Sequence, residues 1–395
     1  MSKLDDLIKN LCPDGVEFKK LGEVITLSKG IQFNKSDMQD AGTFPVINGG
    51  INPSGYIEKY NQLENTVTIS QGGASAGYVN WISTKFWAGA HCYIVKPSDN
   101  VINRYVFHFL KSKEKKLQEC QYGAGIPALS KTTVENILIP VPPLEVQREI
   151  VRILDNFTEL TAELTAELTA RKKQYEYYRD LLLTFDDGKV EFKKLGEIIG
   201  QIQKISWNKS NKSYKYVDLS SVSLENRKIT ETTIVNQNDA PSRAQQILQT
   251  EDILFGTTRP TLKRFCMIPK DYDGQICSTG FCILRANKKF VLPLWIYFNI
   301  SSSKFFNYVS KVQHGTSYPM ISDLEVKNFK IPVPPIEEQE RIVKILDRFD
   351  KLCNDITEGL PAEISARQKQ YEYYRDKLLT FDTQQNGRIG DNAIR

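Results

Sequence analysis

The sequence predicts an α+β protein: two tandem mixed α/β domains separated by long paired antiparallel helices with pseudo-two-fold symmetry. Three observations carry this. Three segments occur twice in the same order: DGVEFKKLGEVI at 14–25 and DGKVEFKKLGEII at 187–199, IPVPPLEVQREIVRILDNF at 139–157 and IPVPPIEEQERIVKILDRF at 331–349, RKKQYEYYRDLLLTFD at 171–186 and RQKQYEYYRDKLLTFD at 367–382. Units this long imply duplication of a domain with its following segment, not a solenoid. Residues 65–82 align without gaps to 251–268, with apolar pairs at Val67/Ile253, Ile69/Phe255, Val79/Phe265 and Ile82/Ile268. An apolar stripe then runs through Ile150, Ile153, Leu154, Phe157, Leu160, Leu164 and Leu168 to Tyr175, Tyr178 and Leu182, at helical steps of three and four.

Residues 1–143 form the first domain with an N-terminal conserved segment. In it, 65–82 alternates as two strands around a glycine-containing turn, HCYIV at 91–95 adds a core strand, and an aromatic helix is expected near Arg104–Gln118. IPVPP sets an extended entry to the helix, because proline disfavours the α conformation in the residue before it. Residues 144–186 are the helical spacer; a helix over 147–183 is about 55 Å long at 1.5 Å per residue. Its TAELTAELTA at 161–170 steps the leucines by four, a stutter that locally unwinds a left-handed supercoil. The second domain, 187–335, repeats the plan with strands in 251–268, FCILR at 281–285 and a helix near Leu294–Lys311. The distal helical segment, 336–382, is four residues longer between Phe349 and Arg367 and contains Pro361, which predicts a kink or a break with a restart. Residues 383–395 are expected to be a disordered tail.

At 395 residues, with 41% apolar and 25% charged residues, the chain has the length of two soluble domains. No apolar run approaches a bilayer span, and seven scattered cysteines outside CxxC spacing fit free thiols in the cytoplasm. Net charge of +5 permits a nucleic-acid partner without establishing one. No phosphate loop is present, GAGIPA at 123–128 lacks the last glycine of a dinucleotide fingerprint, and His91, His108 and His314 have no metal-ligand spacing. IPVPP cannot supply the asparagine of an amino-methyltransferase Asn-Pro-Pro-aromatic motif. Asp323 stands too close to Glu325-x-Lys327 for a nuclease site, which reads instead as a solvated turn. The chain by itself is expected to be non-catalytic.

The polar tips between paired strands are the candidate DNA contacts: Gln71, Ser75 and Tyr78 in the first half, Thr257, Thr258, Arg259, Lys263 and Arg264 in the second. The stretches before the later prolines add Gln121 and Tyr122, then Gln313, His314, Thr316, Ser317 and Tyr318. Amides, hydroxyls and guanidinium groups suit base edges and phosphates. A single such loop reads as a solvated turn; recurrence in both halves with changed side chains points to a recognition module with two specificities. Lys111, Lys113, Lys115 and Lys116 could touch phosphates or simply face water.

Duplicated domains ending in IPVPPxxxQxxIVxILDxF and followed by RxKQYEYYRDxLLTFD resemble the specificity subunit (HsdS) of type I restriction–modification enzymes, over residues 14–382, and the TAEL units resemble its IC subfamily. The resemblance implies two target-recognition domains, each reading one half of a bipartite double-stranded DNA target with an unspecified gap. It implies two modification subunits that methylate adenine with S-adenosylmethionine, and motor–nuclease restriction subunits that use ATP and Mg. It implies no cofactor and no metal on this chain, no membrane, and a cytoplasmic location. Docking of the modification subunits would use the helical segments. There Tyr177, Arg179, Tyr373 and Arg375 are expected to point away from the internal face of Tyr175, Tyr178 and Leu182; the alternative is that all six tyrosines serve the helix pair. Two rival functions are a stand-alone nucleic-acid-binding or scaffold protein without modification partners, and a single-chain restriction enzyme, for which the length leaves no room. The TAEL repeat reads as a ruler: each unit adds about 6 Å and ~40°, and its count is expected to set the gap between half-sites.

Overall fold

A computed structural model describes residues 3–123, 125, 127–186 and 188–381; Ala124 and the expected tail at 383–395 lie outside them. The chain divides into two compact units, Met1–Ala162 with Ala366–Arg395, and Glu163–Ser365. Each therefore takes one of the duplicated domains and a stretch of both helical segments.

In unit 1 an antiparallel sheet runs in the order Ile25–Lys29, Cys92–Pro97, Thr66–Ser70, Val79–Ile82. A smaller sheet holds Phe44–Ile47 between Tyr56–Ile57 and a parallel partner, Trp87–Ala88. Unit 2 repeats both. Ile253–Gly256 lies between Phe265–Met267 and Phe281–Leu284, and Tyr214–Val217 pairs in parallel with Ile276–Ser278. The expected apolar pairs are all buried: Val67, Ile69, Val79, Ile253, Phe255 and Phe265 are fully enclosed and Ile82 and Ile268 nearly so. Each such side chain is worth about 1.5–3 kcal/mol of burial, so register is strongly set.

The duplicated end segments meet in each unit. Phe18–Lys20 pairs with Leu138–Pro140, Phe18 opposite Pro140; Phe192–Lys194 pairs with Lys330–Pro332, Phe192 opposite Pro332. The glutamine of IPVPPxxxQ clamps this seam. Wholly buried Gln147 accepts from Ile102 N at 2.9 Å and donates to Pro142 O at 2.8 Å and Asn100 O at 3.0 Å. Gln339 makes the same three bonds to Leu292 N, Pro334 O and Phe290 O.

The spacer is one helix, Leu144–Leu182, 39 residues long and continuous through the TAEL repeats. Its first part packs Val146, Ile150 and Leu154 with Tyr371 and Leu379 in the core of unit 1, and Phe157 stacks on Tyr374 at 5.2 Å. Its last part buries Tyr175, and Leu183 just past its end, with Ile342 and Leu346 in unit 2, where Tyr178 stacks on Phe349 at 6.3 Å.

The distal segment breaks and restarts as expected, into Ile336–Asn354 and Leu360–Leu378. Asp355 accepts from Thr357 N and Oγ1 in the break, and these bonds hold its carboxyl down at about 2. Pro361 falls in the first turn of the new helix, where its missing amide costs nothing. Gly359 is required: a Cβ there would lie 2.4 Å from Lys351 O.

Each expected aromatic helix is instead two. Asn103–Ser112 is followed by Glu114–Glu119, and Pro293–Ser301 by Ser303–Val312. In the second pair Ser302 ends one helix and caps the next, accepting from Phe305 N, a local bond that competes with continuation.

Candidate nucleic-acid interface

In each unit the turn between paired strands is stapled to the loop that precedes the last short helix. In unit 1, Gly73 N donates to Pro127 O at 2.8 Å, Leu129 N to Gln71 O at 2.8 Å, and Tyr122 and Ala128 exchange a pair of bonds. In unit 2, Arg259 N donates to Pro319 O at 2.7 Å, Ile321 N to Thr257 O at 3.0 Å, and His314 and Met320 exchange the matching pair. The positions correspond one for one in the aligned repeats. The left-handed residues also fall at the same two places: φ is +85° at Gly73 and +89° at Gly77, +48° at Arg259 and +58° at Lys263. The structure thus brings together, within each unit, two stretches some fifty residues apart that the sequence singled out separately.

Not every singled-out residue faces outward. Thr257 is buried and donates its hydroxyl to Gly280 O at 2.9 Å; sitting at the strand end, it braces the turn. Gln121 donates to Ala76 O at 2.6 Å, and Gln313 has its Oε1 buried without a partner. Both amides point inward rather than to a ligand. Arg264 is half-buried and bonds Val222 O at 3.2 Å. Tyr78 lies under Lys111, 4.3 Å from its ring centroid; burial, then nearby Glu114, pushes its phenol up, so the phenol stays a donor. Lys111 itself is consumed by Glu114 at 2.6 Å and Val79 O at 3.1 Å, which removes it from the lysine cluster as a phosphate contact. His314 Nε2 lies 2.6 Å from Glu325 Oε1. Glu325 closes a capping box with Ser322, and the Ser322 amide and hydroxyl together with His314 hold its carboxyl down at about 2. That is the structural duty of the Glu325 turn.

Left at the surface are Thr258, Arg259, Lys263, Thr316, Ser317 and Tyr318 in unit 2, and Gln71, Ser75 and Tyr122 in unit 1, the partly shielded ones included. Beside the unit 1 tip stand Asn48 and Gly49, which the sequence did not single out, and His91, which it singled out only as lacking metal-ligand spacing. Asn48 Oδ1 accepts from His91 N at 3.0 Å, exposed His91 borders Gly72, and Gly49 packs on Gly72 O too closely for a Cβ. The Asn-Gly-Gly at 48–50 was a turn signal, but nothing local tied it to a tip twenty residues on.

On the helical segments Tyr177 and Tyr373 are 64% and 62% exposed. Arg179 and Arg375, expected beside them, turn inward. Arg179 is buried, lies over the Tyr175 ring at 5.6 Å and pairs with Asp180; Arg375 lies over Tyr371 at 5.5 Å and pairs with Asp376. One residue's offset along the helix explains it: Arg179 follows Tyr175 by four, on the same face. Among the described residues no three His, Cys, Asp or Glu side chains group as metal ligands would, and no helix is long and apolar enough to cross a membrane.

The sequence pattern of the type I restriction modification DNA specificity domain matches residues 13–171 and again 188–366. The EcoR124I/EcoR124II type I restriction enzyme specificity subunit of Escherichia coli is 34% identical, over 96% of this chain and 98% of that protein. The MjaVIII type I restriction enzyme specificity subunit of Methanocaldococcus jannaschii is 25% identical over 93% of this chain and 92% of its own length. The crystal structure of a type I restriction–modification S subunit from M. genitalium superposes with a TM-score of 0.62 over 93% of this chain and 97% of that one, at 17% identity, a likeness of fold.

Proposed function

The chain belongs to the family of type I restriction–modification DNA specificity subunits, and we propose from that premise how its two units divide the work. As a specificity subunit it supplies DNA sequence specificity to a complex with methyltransferase and restriction subunits, and is not itself the catalyst. In our reading each stapled tip-and-loop pair reads one half of a bipartite double-stranded target. The observation that carries this is the recurrence of the same staple, at matching positions and with left-handed residues at the same two places, under different side chains. A scaffold kept while its exposed groups change is what two specificities on one fold require.

Two modification subunits would dock on the helical segments, with exposed Tyr177 and Tyr373 as contacts, and methylate adenine using S-adenosylmethionine. Restriction subunits would add ATP- and Mg-dependent translocation and cleavage, in the cytoplasm. The unbroken helix through the TAEL repeats supports a ruler role, since each four-residue unit adds about 6 Å of helix. The test is methyl transfer to DNA by the chain alone, by modification subunits alone and by both. Specific transfer is expected only from the combination; tight sequence-specific binding by the chain alone, with no gain in methylation on adding modification subunits, would favour a stand-alone binding protein.

A further inference from the structure

We propose that Arg259 reads a guanine in the half-site bound by unit 2, held for that contact on the ring of Tyr318, and that unit 1 has no counterpart. The inference rests on the reading of the tips as DNA-contacting.

Both units place two left-handed residues at matching positions of the tip, and unit 1 fills both with glycine. Unit 2 places arginine and lysine there, at φ +48° and +58°, where an L side chain is strained. Glycine would satisfy the turn with less strain, so the side chains are retained for something other than the turn, as is usual where strain gathers at functional positions.

The guanidinium is fixed and free at once. Its Cζ lies 4.5 Å from the centroid of Tyr318, whose ring is 67% exposed, and the Arg259 amide is tied to Pro319 on the same loop. Several other arginines of unit 2 are spoken for: Arg285 by Asp252, Arg341 by Glu338, Arg179 by Asp180, Arg264 by Val222 O; Arg227 lies over the Phe265 ring at 4.6 Å with a guanidinium nitrogen buried. Among the described residues Arg259 forms no ion pair. A planar donor fork carried on an aromatic ring at an exposed position can match the two acceptors, O6 and N7, that guanine alone presents together in the major groove. The same fork also suits two phosphate oxygens, and the sequence and salt dependence of the variants below separate the two. Lys263, four residues on and over the Phe306 ring at 5.1 Å, is the point charge suited to phosphate. At the position of Arg259 unit 1 has Gly73, which has no side chain to read with.

The test is the methyladenine map of the assembled complex carrying wild-type chain, Arg259→Gly, Arg259→Lys or Tyr318→Ala. Glycine is what unit 1 uses at this turn, so Arg259→Gly keeps the fold. The wild-type target should contain an obligatory guanine in one half-site. Arg259→Gly should lower discrimination at that base pair by about 5- to 150-fold and leave the other half-site unchanged. Arg259→Lys should not restore it, and Tyr318→Ala should weaken the same position. A uniform loss across all sequences, with the salt slope of binding reduced by about one, would make Arg259 a phosphate contact and overturn the assignment. So would a map unchanged by Arg259→Gly. Absence of any specific methylation with wild-type chain would instead overturn the functional reading beneath it.

Discussion

Replacing Gln147 with leucine removes the clamp of the first seam with little change in volume. Three backbone groups lose their partner: Ile102 N, Pro142 O and Asn100 O. A wholly buried orphan costs about 1–3 kcal/mol. The Pro142 bond is buried and the other two are part-buried, where water recovers some of the loss. Taking about 2 kcal/mol for the first and about 1 for the others together, less up to ~1 for the added apolar burial, leaves about 2–3 kcal/mol. Read as opening of the helix start, that is a factor of about 30–150 in exchange of the amides at 144–154. Urea unfolding followed by hydrogen exchange and peptide mass analysis resolves the two units, which a single melting temperature does not. Gln339→Leu should produce the same loss in unit 2, because its bonds are the same. A loss below about 0.5 kcal/mol in either variant, or a loss that falls in the unit not carrying the substitution, would refute the clamp.

Three further outcomes are expected. Deleting Thr165–Leu168 removes one four-residue step, about 6 Å, and should shorten the gap in the methylation map by one to two base pairs while leaving both half-sites unchanged; an unchanged gap would sink the ruler. Fully buried His108 bonds Tyr371 at 3.0 Å and Asp155 at 2.8 Å. Burial pushes its imidazole down, against the Asp155 bond and with Arg104. The unfolded chain then binds the proton first as pH falls below about 6.5. Unit 1 should therefore lose stability from that pH downward, and His108→Phe, which copies Phe298 of the other half, should flatten the slope in pH-dependent unfolding. Lys263→Gly should stabilise unit 2 by about 0.5–1 kcal/mol through relief of the left-handed backbone. Gly77→Ala, whose Cβ would meet the Leu117–Gln118 backbone at 2.8 Å, should destabilise unit 1 by about 2 kcal/mol or more, both read in urea.

Much of the fold was legible because it was written twice. The buried strand pairs, the continuous spacer helix and the restart near Pro361 follow from alternation, heptad-like spacing and proline geometry, all local rules. The split of each aromatic helix was not: nothing in SSSK at 301–304 says whether Ser302 decorates a helix or caps one until its amide partners are placed. The site was legible as two loop stretches per half, but not their side chains. Thr257, Gln121 and Gln313 look like base readers by chemistry and turn inward, the first two to brace backbone; His91 looks like an isolated histidine and stands at the tip. Left-handed φ at Arg259 and Lys263 had a sequence trace, since their aligned partners are Gly73 and Gly77, but it became evidence only when both turns proved left-handed at the same two places.

The account stands most directly on the methyladenine map of the wild-type chain assembled with its modification subunits. It predicts two short specific half-sites separated by a fixed stretch of unspecified bases, each half-site altered only by changes in one unit's tip and loop. A single continuous recognition sequence, or one tip whose alteration changes both half-sites, would contradict it.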